Sequence, residues 1–319
     1  MSLETETILD RRRVKRQLSF WRVLAIIAVT LTIGAFFLSG ESGLMDRRQI
    51  ARVSIEGMIT EDRDVLRLLN QVSEAEHVAG VIVYVNSPGG TTTGGEAIYE
   101  ALRRLAEKKP VAAQFGTVAA SAAYIAGLGT DYIVARGNSI TGSVGVIMQW
   151  PEISGLLEKL GVKMNEVKSG RLKANPSPFA PMDAEGRALA ETMIAESQQW
   201  FLSLVSARRQ VDTATVPGLV QGRVYSGREA LQHKLVDEIG GEAEVIRWLE
   251  GRGVSKGLKV VDWKEGRGVD WPLGGALAGA VQQLTGQLGG DLAAFISRQP
   301  AFRAFTLDGL LSVWQPSEN

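Results

Sequence analysis

The sequence predicts an α/β domain with a largely parallel sheet and flanking helices, preceded by one transmembrane helix. Three observations predict it. From residue 49 onward, short apolar β-branched runs alternate with segments of helical periodicity. Residues 78–85 (VAGVIVYV) form a continuous apolar run, as in a strand buried on both faces. Residues 23–39 (VLAIIAVTLTIGAFFLS) carry no charge and follow a basic cluster.

At about 1.5 Å per residue, the 17 residues of that last run reach roughly 25 Å, a short but sufficient bilayer span. Phe20 and Trp21 stand where an interfacial aromatic anchor belongs. Residues 1–22 hold six basic and three acidic side chains, a net of +3, so this tail is expected inside and the chain after residue 40 outside. A cleaved secretory signal has a shorter apolar core and a small-residue exit. The sequence here leaves the run as Ser39-Gly-Glu-Ser-Gly43, which favours an uncleaved anchor. The organisation is then a basic tail (1–22), an anchor (23–39), a polar linker (40–48), a folded domain (49–264) and a Gly/Ala-rich amphipathic extension (265–319).

Within the domain, residues 52–59 read as a strand and 64–73 as an amphipathic helix. After the buried strand at 78–85, residues 96–107 carry a helical stripe of Ala97, Ala101, Leu102 and Leu105. Strands are expected at 111–115, 132–135 and 144–149, with helices at 119–128 and 152–160. A long helix over 183–209 and a helix–strand tail to about Trp263 complete the domain. The extension reads as one or two amphipathic helices, without the basic face a membrane-surface helix needs.

Composition narrows the chemistry. The 319 residues include no cysteine, which removes disulfides, thiol nucleophiles, iron–sulfur clusters and thiolate zinc sites. Lys+Arg and Asp+Glu both total 35, so no global basic field points to nucleic acid. His77 and His233 are the only histidines, and neither context suits a Ser-His-Asp triad or a metal site. Any acid–base chemistry falls to Lys, Asp or Glu.

Five segments stand out. Asn86-Ser-Pro-Gly-Gly-Thr-Thr-Thr-Gly-Gly-Glu96 follows the buried strand. Its Thr93-x-x-Glu96 spacing is that of a capping box, which would put Gly89 and Gly90 before a helix N-terminus. The segment serves either a ligand's negative charge or a plain tight turn. Gly116-Thr-Val-Ala-Ala-Ser-Ala-Ala-Tyr124 resembles a nucleophile elbow with alanine for glycine, and reads equally as a helix of small residues. Ile140-Thr-Gly-Ser-Val-Gly145 holds Ser143, and Lys168-Ser-Gly-Arg-Leu-Lys173 holds two lysines, either of them a candidate base or a surface cation. Gly222-Arg-Val-Tyr-Ser-Gly227 completes the set.

In this order the five motifs resemble the SppA-type signal peptide peptidases, over about residues 49–245. The resemblance implies a Clp protease/crotonase-like fold in the short, single-domain form. It also implies a Ser–Lys dyad, which agrees with the shortage of histidine. By position Ser121 matches the nucleophile, Lys173 the general base and Ser143 a serine orienting the lysine amine. Gly90 with Gly89 matches the oxyanion loop, and Ala122 supplies the N–H after the serine. The family usually has Ser-Gly-Gly where this chain has Ser121-Ala-Ala, a change that bears on specificity. No cofactor or metal is implied. The expected partners are remnant signal peptides and other unfolded peptides, the bacterial inner membrane with the catalytic domain on its periplasmic side, and further copies of the chain. Those copies would form a ring or dome such as an octamer, with the dyad shared between subunits. The other functions such a fold allows are a crotonase-like acyl-CoA enzyme and a non-catalytic membrane scaffold.

Overall fold

Among the described residues nine strands, chiefly parallel, form one sheet, eight of them within residues 49–264, and the alternating pattern of the sequence is the reason. The computed structural model describes residues 20–30, 48–264 and 311–313. Residues 20–30 are helical and form part of a separate unit. The rest of the expected anchor (31–39), the tail before Phe20, most of the linker and nearly all of the extension lie outside the described residues. Among the described residues no helix is long and apolar enough to cross a membrane.

The strands are β1 (Gln49–Ile59), β2 (Val78–Thr91), β3 (Val111–Ala120), β4 (Tyr132–Ala135), β5 (Ile140–Gly142), β6 (Val224–Ser226), β7 (Glu238–Ile239), β8 (Val260–Trp263) and β9 (Leu311–Val313). The helices are α1 (Arg63–Glu74), α2 (Thr92–Ala106), α3 (Ala122–Leu128), α4 (Ser154–Lys159), α5 (Ala184–Arg209), α6 (Gly227–Gln232) and α7 (Glu242–Gly251). The sheet runs β6-β5-β3-β2-β1-β8, with β4 beside β3, β7 beside β4 and β9 beside β2. Among the described residues the β5–β6 and β2–β9 pairs are antiparallel and the others parallel.

Alternation along β1 explains the layers. Ala51, Val53 and Ile55 join a core with Leu68, Leu69 and Val72 of α1, Leu102 of α2 and every α3 residue but Gly127. Ile50 faces the other way, into a smaller core with Ile82, Val134, Val245 and Leu249 of α7. Fully burying a Leu or Ile contributes about 1.5–3 kcal/mol, so these two stripes hold the sheet between its helices. Tyr124 of α3 is fully buried and its hydroxyl donates to the Leu235 carbonyl at 2.8 Å. Burial pushes its phenol well above the ordinary value, which keeps it a donor.

Four expectations are corrected. Residues 144–149 form no strand. β5 ends at Gly142, Ser143 turns with φ 52°, and Val144 is buried in the core without a ladder partner. The strand at 78–85 continues to Thr91, carrying Gly89 and Gly90 inside β2 instead of in a loop. Helix α2 is capped by Thr91, whose hydroxyl accepts from the Gly94 N–H at 3.1 Å, and not by the Thr93–Glu96 box. In the extension, residues 311–313 are strand and not helix.

Candidate active site

Ser121 stands between β3 and α3 with φ 62° and ψ −124°, a combination that only glycine adopts without cost. The chain is forced there because β3 must stop and α3 must begin within one residue. The Ser121 N–H donates to the Gly142 carbonyl at 2.8 Å, and its own carbonyl accepts from Tyr124 and Ile125 at 2.9 and 3.0 Å. The small residues around it serve this turn: Ala119, Ala120, Ala122 and Ala123 are all fully buried, so nothing larger fits. Ser121 itself is fully buried within the chain.

Ser143 occupies the equivalent position on the neighbouring strand. Ala120 of β3 pairs with Gly142 of β5, and both chains turn with positive φ at the next residue. The Ser143 N–H donates to the Arg223 carbonyl at 2.9 Å, which ties the turn to the Gly222–Gly227 motif. Ser143 also lines a cavity of about 290 Å³ with Val146, Ile147, Ile194, Gln198 and Val220. The Gln198 amide donates to the Val144 carbonyl at 3.2 Å, and its oxygen is buried without a hydrogen-bond partner among the described residues. Gln198 escaped the sequence reading, since one Gln within a long amphipathic helix carries no pattern.

Gly89 and Gly90 end β2 beside β1, paired with Met58 and Ile59. Gly89 has φ 111°, and a β-carbon on Gly90 would fall inside the Ile59 carbonyl, so both positions require glycine. The last β2–β3 pair is Ser87 with Ala119, two residues before Ser121. Between the pairs at Val85 and Ser87, β3 bulges, and the Asn86 carboxamide oxygen holds the bulge by accepting from Thr117 and Val118 at 3.1 and 3.2 Å. A β-carbon on Gly95 would meet that of Ala122 at 3.2 Å, so the start of α2 packs on the start of α3. Gly90, Ala122, Ser121 and Ser143 therefore converge where three strands end and two helices begin.

Lys173 is placed differently. Residues 158–174 are all exposed, and Lys173 lies in this arm with its amide bonded to the Gly170 carbonyl at 3.1 Å. Lys168, on the same arm, pairs with Glu166 at 3.1 Å. Leu172, which an apolar wall for the lysine would need, is 37% exposed in the single chain. The arm rejoins the domain at α5, where Asp183 accepts from the Gly186 N–H at 2.7 Å and from Asn175 at 3.3 Å. The histidines do structural work: His77 stacks on Trp263 and His233 lies edge-on to Tyr225. A larger cavity of about 600 Å³, lined by Arg52, Glu56, Tyr84, Gln114 and Asp262 among others, contains none of the residues singled out from sequence.

The mixed, mostly parallel α/β sheet is of the Clp protease-like kind, and the chain matches the Clp protease family over residues 43–136. It matches the profile of Peptidase family S49 over residues 103–254. The chain is 35% identical over 204 residues to a putative protease of Synechocystis, covering 63% of this chain and 73% of that one. It is also 35% identical over 204 residues to a putative signal peptide peptidase SppA of Enterococcus faecium, covering 63% and 56% of the two chains. Protease 4 of Haemophilus influenzae is 34% identical over 212 residues, and there the match spans 63% of this chain and 34% of the relative. The chain belongs to peptidase family S49, a family of serine peptidases.

Proposed function

We propose that the chain is a membrane-anchored serine endopeptidase in which Ser121 attacks the scissile carbonyl and Lys173 is the general base. One observation carries this reading: Ser121 is held at φ 62° on a turn between strand and helix, strain that a plain packing residue would not need. The main-chain N–H groups of Gly90 and Ala122 are the oxyanion donors, each worth about 3–4 kcal/mol in a comparable protease. Lys173 takes the Ser121 proton as the hydroxyl adds to the carbonyl, then returns it to the leaving amine; water releases the acyl group from the serine. Ser143 orients the lysine amine.

The lysine must be neutral to act. Burial away from water disfavours the charged amine, and it is the means available without a neighbouring cation. The single chain leaves the arm in water, but the arm also carries apolar side chains. Leu160, Val162, Met164, Val167 and Leu172 are all exposed, Val167 completely. A second copy covering this arm would bury those side chains and desolvate the amine together. This supports a ring- or dome-like homo-oligomer whose dyad joins Ser121 of one protomer to Lys173 of its neighbour. The cavity beside Ser143, with walls of Val146, Ile147, Ile194 and Val220, has the apolar lining such an amine requires.

Substrates are remnant signal peptides and other unfolded peptides, with residues 23–39 as an inner-membrane anchor and the domain outside it. The apolar, uncharged run 23–39 and the basic tail support that topology. Family membership disfavours the acyl-CoA alternative, and substitution decides the scaffold one. Labelling with a fluorophosphonate, followed by mass spectrometry, is expected to mark the peptide containing Ser121. Ser121→Ala is expected to abolish both label and peptide cleavage. A label on another serine, or cleavage surviving in Ser121→Ala, would overturn the assignment.

A further inference from the structure

Strand β3 reaches Ser121 by a longer path than its neighbour takes. From Val85 to Ser87 strand β2 advances two residues, while β3 advances four, from Phe115 to Ala119. Two extra residues change the register without changing the face each side chain takes, because side chains alternate with a period of two. With them, Ser121 comes level with Gly89. Without them it would stand level with Thr91, about 6.6 Å further along the sheet and past the glycine main chain. The bulge is held from both sides. On the β2 side the Asn86 carboxamide oxygen accepts from the Thr117 and Val118 N–H groups, donors that the interrupted ladder leaves over. On the other side the hydroxyl of the buried Ser139 donates to the Gly116 carbonyl at 2.6 Å and accepts from the Arg136 N–H at 3.0 Å. Here the neighbour of β3 changes from β4, which pairs as far as Phe115, to β5, which begins at Val118. Among the described residues Gly116 and Thr117 have no ladder partner on either edge, and two side chains hold them instead.

We propose that Asn86 is a positioning residue for the peptidase reaction: by clamping this bulge it sets the height of Ser121 against the Gly89–Gly90 main chain. This rests on the reading of Ser121 as the nucleophile and Gly90 as an oxyanion donor. The attacking oxygen and that donor belong to different strands, so the register between β2 and β3 decides their separation. The pairing of β3 with β5 prevents a full two-residue slip. An unclamped bulge still lets Ser121 drift by a fraction of that distance. A misplacement of about 1 Å is enough to slow a reaction about 100-fold.

The test uses the full chain. Asn86→Leu keeps the bulk of the side chain and removes the acceptor, whereas Asn86→Asp keeps an acceptor oxygen at the same reach. The expected result for Asn86→Leu is a kcat for a fluorogenic peptide about 100-fold lower, with KM within about threefold of the parent. Asn86→Asp should recover all but about fivefold of the lost rate, because its carboxylate accepts from the same two N–H groups. Fluorophosphonate labelling of Ser121 should slow and recover in the same order. A merely structural role would instead make the loss follow the melting temperature and raise KM with it. Parent kcat in Asn86→Leu, or an Asn86→Asp protein as slow as Asn86→Leu, overturns the proposal. Should Asn86→Leu fail to fold, Ser139→Ala releases the bulge from its other side and is expected to lower kcat about tenfold at unchanged KM, as for one lost hydrogen bond. Parent kcat there overturns the proposal equally. Label on another serine of the parent refutes the nucleophile assignment and this proposal with it, whereas label on Ser121 with an unaffected Asn86→Leu refutes the proposal alone.

Discussion

Replacing Ser121 by glycine should make the protein more stable than replacing it by alanine, although alanine is ordinarily the better residue. Both variants lack the hydroxyl, so activity does not enter the comparison. The difference lies in the β-carbon. With φ 62° and ψ −124°, Ser121 occupies backbone space where a β-carbon collides with its own main chain, and such strain costs about 1–3 kcal/mol. Alanine keeps that carbon and the strain, whereas glycine loses both. Against this, glycine gives up about 0.5–1 kcal/mol more chain entropy on folding. The net is about 1 kcal/mol in favour of glycine. For a domain of about 200 residues this raises the melting temperature by roughly 2–4 °C. Thermal unfolding of the two full-length variants in the same detergent reads the difference. The surroundings allow little relaxation, because the Ser121 N–H is tied to Gly142 and its carbonyl to Tyr124 and Ile125. If Ser121→Gly melts at or below Ser121→Ala, the turn stores no strain, and the main structural reason for singling out this serine fails.

Three further outcomes are expected. Lys173→Arg keeps the charge but not the base, since guanidinium stays protonated, and kcat/KM should fall by at least about 100-fold, while Lys168→Gln stays within about twofold; the reverse pattern would transfer the role to Lys168. Tyr124→Phe strands the Leu235 carbonyl in the core, costs about 1–3 kcal/mol and lowers the melting temperature by roughly 2–10 °C, and an unchanged melt would refute the buried hydrogen bond. The carboxyl of Asp183 is held below its ordinary value, first by the Gly186 N–H and then by Asn175 and Arg171. A depressed carboxylate stabilises above its unfolded pKa of about 3.9 and loses that contribution as pH falls through the folded value. The stability gap between the parent and Asp183→Ala should therefore be full at neutral pH and narrow as acid carries the solution below the ordinary aspartate range, as measured by urea unfolding.

What the sequence revealed and concealed can be followed residue by residue. The β-branched run at 78–85 had to be a buried strand, because no amphipathic helix presents eight apolar positions in a row. Its extension to Thr91 was concealed by Ser87-Pro-Gly-Gly90, which reads as a turn. Pro88 is tolerated because the β1–β2 register shifts there, from Glu56↔Asn86 to Met58↔Gly89, so no ladder position asks it for an N–H. The cap of α2 was misplaced by two residues for a related reason. Thr91 has no acidic partner three residues on, so it lacked the signature that Thr93 and Glu96 shared. Residues 144–149 are apolar enough for a strand, yet they follow a turn at Ser143, and the bridge at Ile147 does not extend into a strand. Local composition registers burial, and only the register of neighbouring strands decides whether burial comes with a ladder.

The candidate site divides along the same line. Ser121, Ala122, Ser143, Gly89 and Gly90 were legible because each sits where a strand ends, and strand ends in this fold demand small residues and unusual dihedrals that leave a mark on the sequence. Lys173 leaves no such mark. Its arm, residues 158–174, is exposed throughout, and among the described residues no apolar wall covers it that would favour a neutral amine. A lysine in water is a poor base, whereas a chain that exposes Leu160, Val162, Met164 and Val167 beside it is a poor monomer. The two deficits have one physical remedy, burial of the arm against another copy, so assembly and activity should be lost together. Substituting Val167 and Met164 by serine is expected to weaken self-association and cleavage in parallel while leaving the melting of the core nearly unchanged, since neither side chain contributes to it. Full cleavage by a variant shown to be monomeric by sedimentation would mean that the lysine finds its wall within one chain.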